Sequence, residues 1–233
     1  MYLGHYAVAF AAKRASPGTS LGTLILASQL IDILWPLLVL VGVERVAVDP
    51  GRTIVTPLNF VQYPFTHSLL AVLVWASLFS SLYWFTTRNR TGSLVVWFAV
   101  LSHWILDFFT HIPDLPLFPG SEKVVGLGLW NSLWGTLALE LGIFLLGLAM
   151  YLGATRPANR IGSYSLLALV IFLLVTYFAN IFGPPPPSYR TVAWSAMLLW
   201  FLVPWGYWID RNRHLTMIPG SRSTKLKYKG KKL

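Results

Sequence analysis

Seven side chains stand where a hydrophobic chain has little reason to keep them: His5, Asp32, His67, His103, Asp107, His111 and Glu140. The densest run is Ser102-His103-Trp104-Ile105-Leu106-Asp107-Phe108-Phe109-Thr110-His111. On a helix, steps of four residues advance about 400°, so His103, Asp107 and His111 fan across roughly 80° of one face and about 12 Å of axis. Neutral imidazole with carboxylate is a ligand set for a hard-to-borderline divalent ion, with zinc the expected one. The run is long enough for two ions, with Asp107 as a bridge of the kind found in hydrolytic sites about 3.5–4 Å across. The fifth histidine of the chain, His214, stands in a basic segment and reads as solvated.

The elements that must position these groups follow from composition. Of 233 residues, 55% are apolar and 11% charged, against about 25% charged in an ordinary soluble domain. This excludes a water-soluble globule and, with 11 Trp, 10 Tyr and 14 Phe, predicts an all-α polytopic membrane bundle with aromatic-rich interfaces. The absence of cysteine leaves no disulfide framework and no thiolate metal site. Six stretches approach the roughly 20 apolar residues needed to cross a bilayer: Leu21–Val43, His67–Thr87, Ser93–Thr110, Leu133–Leu152, Tyr164–Phe182 and Thr191–Ile209. The third is short and has room to extend. Met1–Ala12 is apolar but too short to span, and Lys13-Arg14 follows it instead of preceding it, the wrong order for a cleavable signal peptide. We expect a helix that enters the bilayer partway and turns back through Ser16-Pro17-Gly18. Gly183-Pro184-Pro185-Pro186-Pro187 reads as a stiff extended connector. Residues 1–209 then form a single transmembrane domain, and 210–233 a basic tail.

The net charge is +10, and its distribution matters more than its size. Asp210 to Leu233 holds eight Lys/Arg against one acid, +7, which leaves +3 for the first 209 residues. A basic tail behind a hydrophobic body predicts a cytoplasmic anchor that meets anionic lipid, with membrane lipids as partners and no nucleic acid. Lys13/Arg14, Arg88/Arg90, Arg156/Arg160 and the tail alternate with loops poorer in positive charge. The positive-inside rule therefore puts both ends of the body in the cytoplasm and the loops 44–66, 112–132 and 183–190 outside.

No Lys or Arg falls inside the six stretches, yet Asp32, Asp107 and Glu140 do. An uncompensated charge there costs about 2.5–3.5 kcal/mol on insertion scales, so protonation or a bound metal must serve. At about 1.5 Å per residue, Asp32, His103 and Glu140 lie roughly 16–20 Å from the cytoplasmic end, Asp107 higher, and His67 and His111 near the outer surface. The expected arrangement is a column from midplane to the outer face. Singly, each group has a structural role open to it. His5 suits a hydrogen-bonded core histidine, His67 a helix cap, Asp32 a partner for the kink at Pro36, and Glu140 a protonated interhelical bond.

At these residues the chain resembles the bacterial inner-membrane metal-dependent hydrolase family, also described as LexA-binding putative membrane hydrolases. The matching pieces are Gly4-His5, Asp32 within Leu30-Ile31-Asp32-Ile33-Leu34-Trp35-Pro36, Pro64-Phe65-Thr66-His67-Ser68-Leu69, the His103/Asp107/His111 helix, and Trp130-Asn131-Ser132 with Glu140. The last two spans carry no matching chemistry. That family is in turn distantly similar to the zinc-dependent phospholipase C and P1-nuclease group, whose helical site holds up to three zinc ions. The resemblance implies that His67, His103 and Asp107 hold one metal, His111 and Glu140 a second, and that His5 assists a third bridged by Asp107. It makes Asp32 a ligand or the general base. The soluble enzymes have a histidine one turn before the glutamate, where this chain has Thr136, so the second metal is the least supported. They also use their N-terminal amine as a ligand, for which a helix beginning at Met1 is suited.

The expectation is a membrane hydrolase with one to three divalent ions, acting on a phosphoester or related bond of an amphiphilic substrate. A divalent-metal or proton transporter is the rival, since a His and an Asp four apart also suit a transport site, although no repeated half is visible. A noncatalytic scaffold with a structural metal remains the third reading.

Overall fold

Polar caps decide where the apolar stretches become helices. The side chains of Ser20, Ser68, Asn89, Ser132, Asn159 and Ser188 each accept the N–H three residues on, meeting one of the donors that a helix start leaves free. The computed structural model describes residues 1–216. In chain order the elements are α1 (Leu3–Ala15), α2 (Leu21–Leu40), β1 (Arg45–Val48), β2 (Leu58–Gln62), α3 (Pro64–His67), α4 (Leu69–Thr87), α5 (Arg90–Thr110), β3 (Leu115–Pro116), β4 (Val124–Val125), α6 (Leu133–Ala154), β5 (Thr155–Pro157), α7 (Arg160–Phe182), α8 (Tyr189–Ala196), α9 (Leu199–Arg211) and β6 (Arg213–Leu215). Among the described residues six segments are long and apolar enough to cross a membrane: α2, α4, α5, α6, α7 and α8–α9 taken together. The strands described there form three small antiparallel pairs, β1–β2, β3–β4 and β5–β6.

Several boundaries differ from the sequence expectation for local reasons. The first span ends at Leu40 instead of Val43, because Gly42 takes φ +78° and the N–H groups of Val43 and Glu44 both return to the Leu38 carbonyl. The second begins after His67. Ser68 is extended (φ −74°, ψ 146°) and caps α4, which leaves His67 at the end of the separate turn α3. The third and fifth start earlier, at Arg90 and Arg160, where Asn89 and Asn159 supply caps. The sixth is broken at Met197–Leu198, and the line drawn at residue 210 falls within α9.

Helix α1 is longer than expected, and its surroundings differ too. It packs on α2, α5 and α6, with Leu3, His5, Tyr6, Ala9 and Phe10 all buried. A Cβ on Gly147 of α6 would collide with the backbone of Ala7, and one on Gly206 of α9 would lie 2.9 Å from the backbone of Gly22 in α2. Small residues let these backbones approach where lipid supplies no hydrophobic drive. Lys13, expected as a free topology charge, is buried instead; its ammonium donates to the Thr19 carbonyl at 2.9 Å and to Asp210 Oδ2 at 2.5 Å. That pair, the Thr19–Tyr83 hydroxyl contact of 2.9 Å and the Arg156–His214 pairing in β5–β6 gather the four basic segments at one end of the bundle. The rest of the expected tail, 217–233, with its anionic-lipid contact, lies outside the described residues.

At the other end the long loops fold back. Val55 N–H donates to the Trp130 carbonyl at 3.1 Å, and Leu70 N–H to that of Leu117 at 3.0 Å. Trp35, Val39, Val46, Tyr63, Leu115 and Val192 form a small apolar core beneath the β1–β2 hairpin. The hairpin therefore acts as a roof over the bundle end.

Candidate metal centre

All seven residues singled out in the sequence meet around this roofed end. His5 comes from α1, Asp32 from the middle of α2, His67 from the end of α3, His103 and Asp107 from α5, His111 from its C-cap, and Glu140 from α6, and Met1 joins them from just ahead of α1. They do not form the expected column. Asp107 is the hub: its Oδ1 lies 3.2 Å from His5 Nε2 and pairs with the α-amino group of Met1. Its Oδ2 lies 3.2 Å from His103 Nε2, 3.9 Å from His67 Nε2 and 4.0 Å from His111 Nε2. Depth counted along separate helix axes ignored how α1 rises inside the bundle and how α3 turns His67 inward.

Two groups of three ligand atoms lie mutually within 4.8 Å, His5/His103/Asp107 and Asp32/His67/His103, and they share His103. Asp32 Oδ1 stands 3.4 Å from His67 Nε2 and 3.5 Å from His103 Nε2. Its side chain is 31% exposed, against 2% for Asp107. The His111–Glu140 pairing implied by the resemblance is not among these groups. Glu140 Oε2 accepts the N–H groups of Tyr2 (2.9 Å) and Leu3 (2.7 Å), a cap on the start of α1. Thr136, one turn earlier, donates its hydroxyl to the Leu129 carbonyl at 2.9 Å.

Three imidazoles have Nδ1 tied to the protein and Nε2 turned toward Asp107. His103 Nδ1 is 2.9 Å from the Ser28 carbonyl. His67 Nδ1 is 2.7 Å from Thr66 Oγ1, which donates to Glu44 Oε2 at 2.7 Å. His111 Nδ1 is 2.9 Å from Asp114 Oδ1, which also accepts the Tyr63 hydroxyl at 2.8 Å. A carbonyl or carboxylate behind Nδ1–H fixes the tautomer that leaves the Nε2 lone pair free. Burial holds the His111 imidazole below its ordinary pKa against the opposing pull of Asp114 and Asp107, and burial next to Asp114 keeps the Tyr63 phenol protonated as a donor.

Sequence reasoning singled out none of Glu44, Tyr63 and Asp114, and met Thr66 only as a neighbour of His67. Glu44 is 1% exposed and accepts the N–H groups of Phe65 and Thr66, both at 2.9 Å. The available signal was the alternation of Val46/Val48 and Leu58/Phe60 about a Gly- and Pro-containing turn, which marks a hairpin able to carry Glu44 inward.

The donor set fits a divalent ion. His5 Nε2 and His103 Nε2 are buried nitrogens without a hydrogen-bond partner, and buried polar atoms of this kind are rare enough to need a reason. A tetrahedral site with bonds of about 2.0–2.1 Å holds neighbouring ligand atoms about 3.3–3.4 Å apart. The four shortest separations between an imidazole Nε2 and a carboxylate oxygen, 3.2, 3.2, 3.4 and 3.5 Å, bracket that spacing. A cavity of about 640 Å³ opens onto Asp32, His67, Asp107, His111 and Glu140.

The profile of a family described as YdjM inner membrane protein matches residues 1–184. The chain belongs to that family. The match takes in α1 to α7 and so every residue of the candidate centre, while α8 and α9 lie beyond it. No curated protein and no solved structure matches the chain. Membership of an inner-membrane family agrees with the six apolar segments and makes the chain a multi-pass membrane protein.

Proposed function

We propose that this YdjM-family chain is a membrane-embedded metal-dependent hydrolase that holds zinc at Asp107 and cleaves a phosphoester or related bond of an amphiphilic substrate. The observation that supports it is the inward convergence of four imidazoles on one carboxylate, two of them, His5 and His103, at 3.2 Å, near tetrahedral spacing, and with unpartnered buried nitrogens. A divalent ion held there would lower the pKa of water to about 7 and offset charge on a phosphoryl oxygen. Asp107, with His5 beside one oxygen and His103 beside the other, would hold it. Asp32 borders the cavity and is the group with room to take a proton from attacking water. Glu44 through Thr66, and Asp114 directly, hold two of the imidazoles in register.

Transport is the weaker reading. Below the centre the axis of the bundle is filled by Tyr6, Phe10, Leu24, Phe144 and Tyr151, all fully buried, and an ion path to the far end would have to displace them. The test is purified full-length protein in phospholipid vesicles supplied with zinc, assayed for headgroup or phosphate release. We expect release that a chelator stops, zinc restores and Asp32→Asn abolishes. Zinc flux without release from a broad panel of phosphoesters would overturn the reading in favour of transport.

A further inference from the structure

The cavity continues well past the polar centre. From a floor of Asp32, His67, Asp107 and His111 it runs outward between α7 and the broken sixth span, where Phe172, Ile181, Val192, Leu198, Leu199 and Leu202 line it. Its volume of about 640 Å³ lies in the roughly 300–1,000 Å³ range of ligand sites, and Phe172 to Ile181 alone covers about 14 Å of helix. A headgroup fills only the floor of such a space.

The sixth span explains why the space exists. Helix α7 packs on α9, whereas α8 packs on α2 and β1. Between them the chain tightens to three-residue turns, with Leu198 N–H on the Ser195 carbonyl at 3.1 Å and Phe201 N–H on that of Leu198 at 3.0 Å. This changes the direction of the helix and parts α8 from α7. Two of the wall hydroxyls are satisfied locally: that of Thr176 donates to the Phe172 carbonyl at 2.8 Å and that of Ser195 to the Val192 carbonyl at 2.9 Å, while the Tyr177 hydroxyl on α7 has no partner among the described residues. Apart from Tyr177 and Asn180, the α7 and α8–α9 walls offer hydrocarbon contact, and the floor offers ligand atoms.

We propose that this cavity is a binding site for a single-chain segment of a phosphate-bearing amphiphile, its headgroup at the Asp107 centre and its hydrocarbon chain between α7 and α8–α9. The preference for an anionic headgroup rests on the metal reading above. The placement of the chain does not, since it follows from the apolar walls.

The test uses the full chain in zinc-supplied phosphatidylcholine nanodiscs and dodecyl phosphate bearing a diazirine at the chain end. After photolysis, adducts should map to Phe172, Ile181, Leu199 or Leu202, which line the cavity, and not to Ile171, Val175, Phe178 or Phe201, which are exposed on the outside of α7 and α9. Leu199→Trp, or Ala196→Phe should the first variant fold poorly, should lower the adduct yield at least about tenfold. Unlabelled dodecyl phosphate should compete at a concentration at least about tenfold below inorganic phosphate. Adducts spread over the exposed face, unchanged by both variants, would overturn the site. Equal competition by the two phosphates would overturn the role of the chain. Correctly placed adducts that persist without zinc and without any hydrolysis would uphold the chain site while removing the hydrolase reading.

Discussion

The two ends of α1 each meet a carboxylate shielded from solvent, partly in Asp210 beside Lys13 and fully in Asp107 beside Met1 and His5. At the Asp210 end every partner is accounted for. Oδ2 takes the Lys13 ammonium and the Leu21 N–H, and Oδ1 takes the Tyr151 hydroxyl at 3.0 Å. At the Asp107 end four imidazoles crowd the carboxylate, and nitrogens of His5 and His103 are left without a partner. Both ends bury charge, but only one leaves coordinating capacity unused. The comparison teaches that burial of charge alone does not mark a functional site, whereas burial with unsatisfied, preoriented lone pairs does.

The largest expected effect breaks the satisfied end. Lys13→Met leaves Asp210, whose side chain is only 13% exposed, without its cation and should cost about 3 kcal/mol of stability, read as a loss in denaturant midpoint in micelles. Metal content of the folded fraction should not change. Adding Asp210→Leu should recover much of the loss, because replacing both partners of a buried pair with apolar residues is often neutral. A pair whose double variant stays as unstable as the single would not be the structural clamp described.

Next come the groups behind the imidazoles. Thr66→Val removes the hydroxyl between His67 and Glu44 and should weaken zinc binding about 10–100-fold, the usual effect of losing an outer partner. Competition against a chromogenic chelator measures this. An unchanged affinity would make Thr66 a packing residue. The smallest effect is a control at the far end: Asn159→Ala removes the α7 cap and should cost about 1 kcal/mol, seen as a lower melting temperature, with zinc affinity unmoved.

Much of this was legible in the chain. The six spans follow from hydropathy, and the site residues from the cost of polar groups in apolar helices, which makes Asp32, Asp107 and Glu140 conspicuous. What was not legible depends on tertiary context. A thirteen-residue helix looks too short to belong inside a bundle, yet α1 is buried because Gly147 admits its backbone. Glu44 and Asp114 look ordinary because acids in loops are ordinary, and only the fold of the hairpin and the α5 C-cap turns them toward His67 and His111. Lys13 reads as a topology charge until Asp210, 197 residues on, is brought beside it.

The most direct test of the central claim is metal analysis of protein purified under metal-replete conditions, wild type beside Asp107→Ala and His103→Ala, each checked for folding by size exclusion and circular dichroism. The account predicts divalent metal bound to the wild type and lost from both variants. A folded wild type as free of metal as the variants would contradict it.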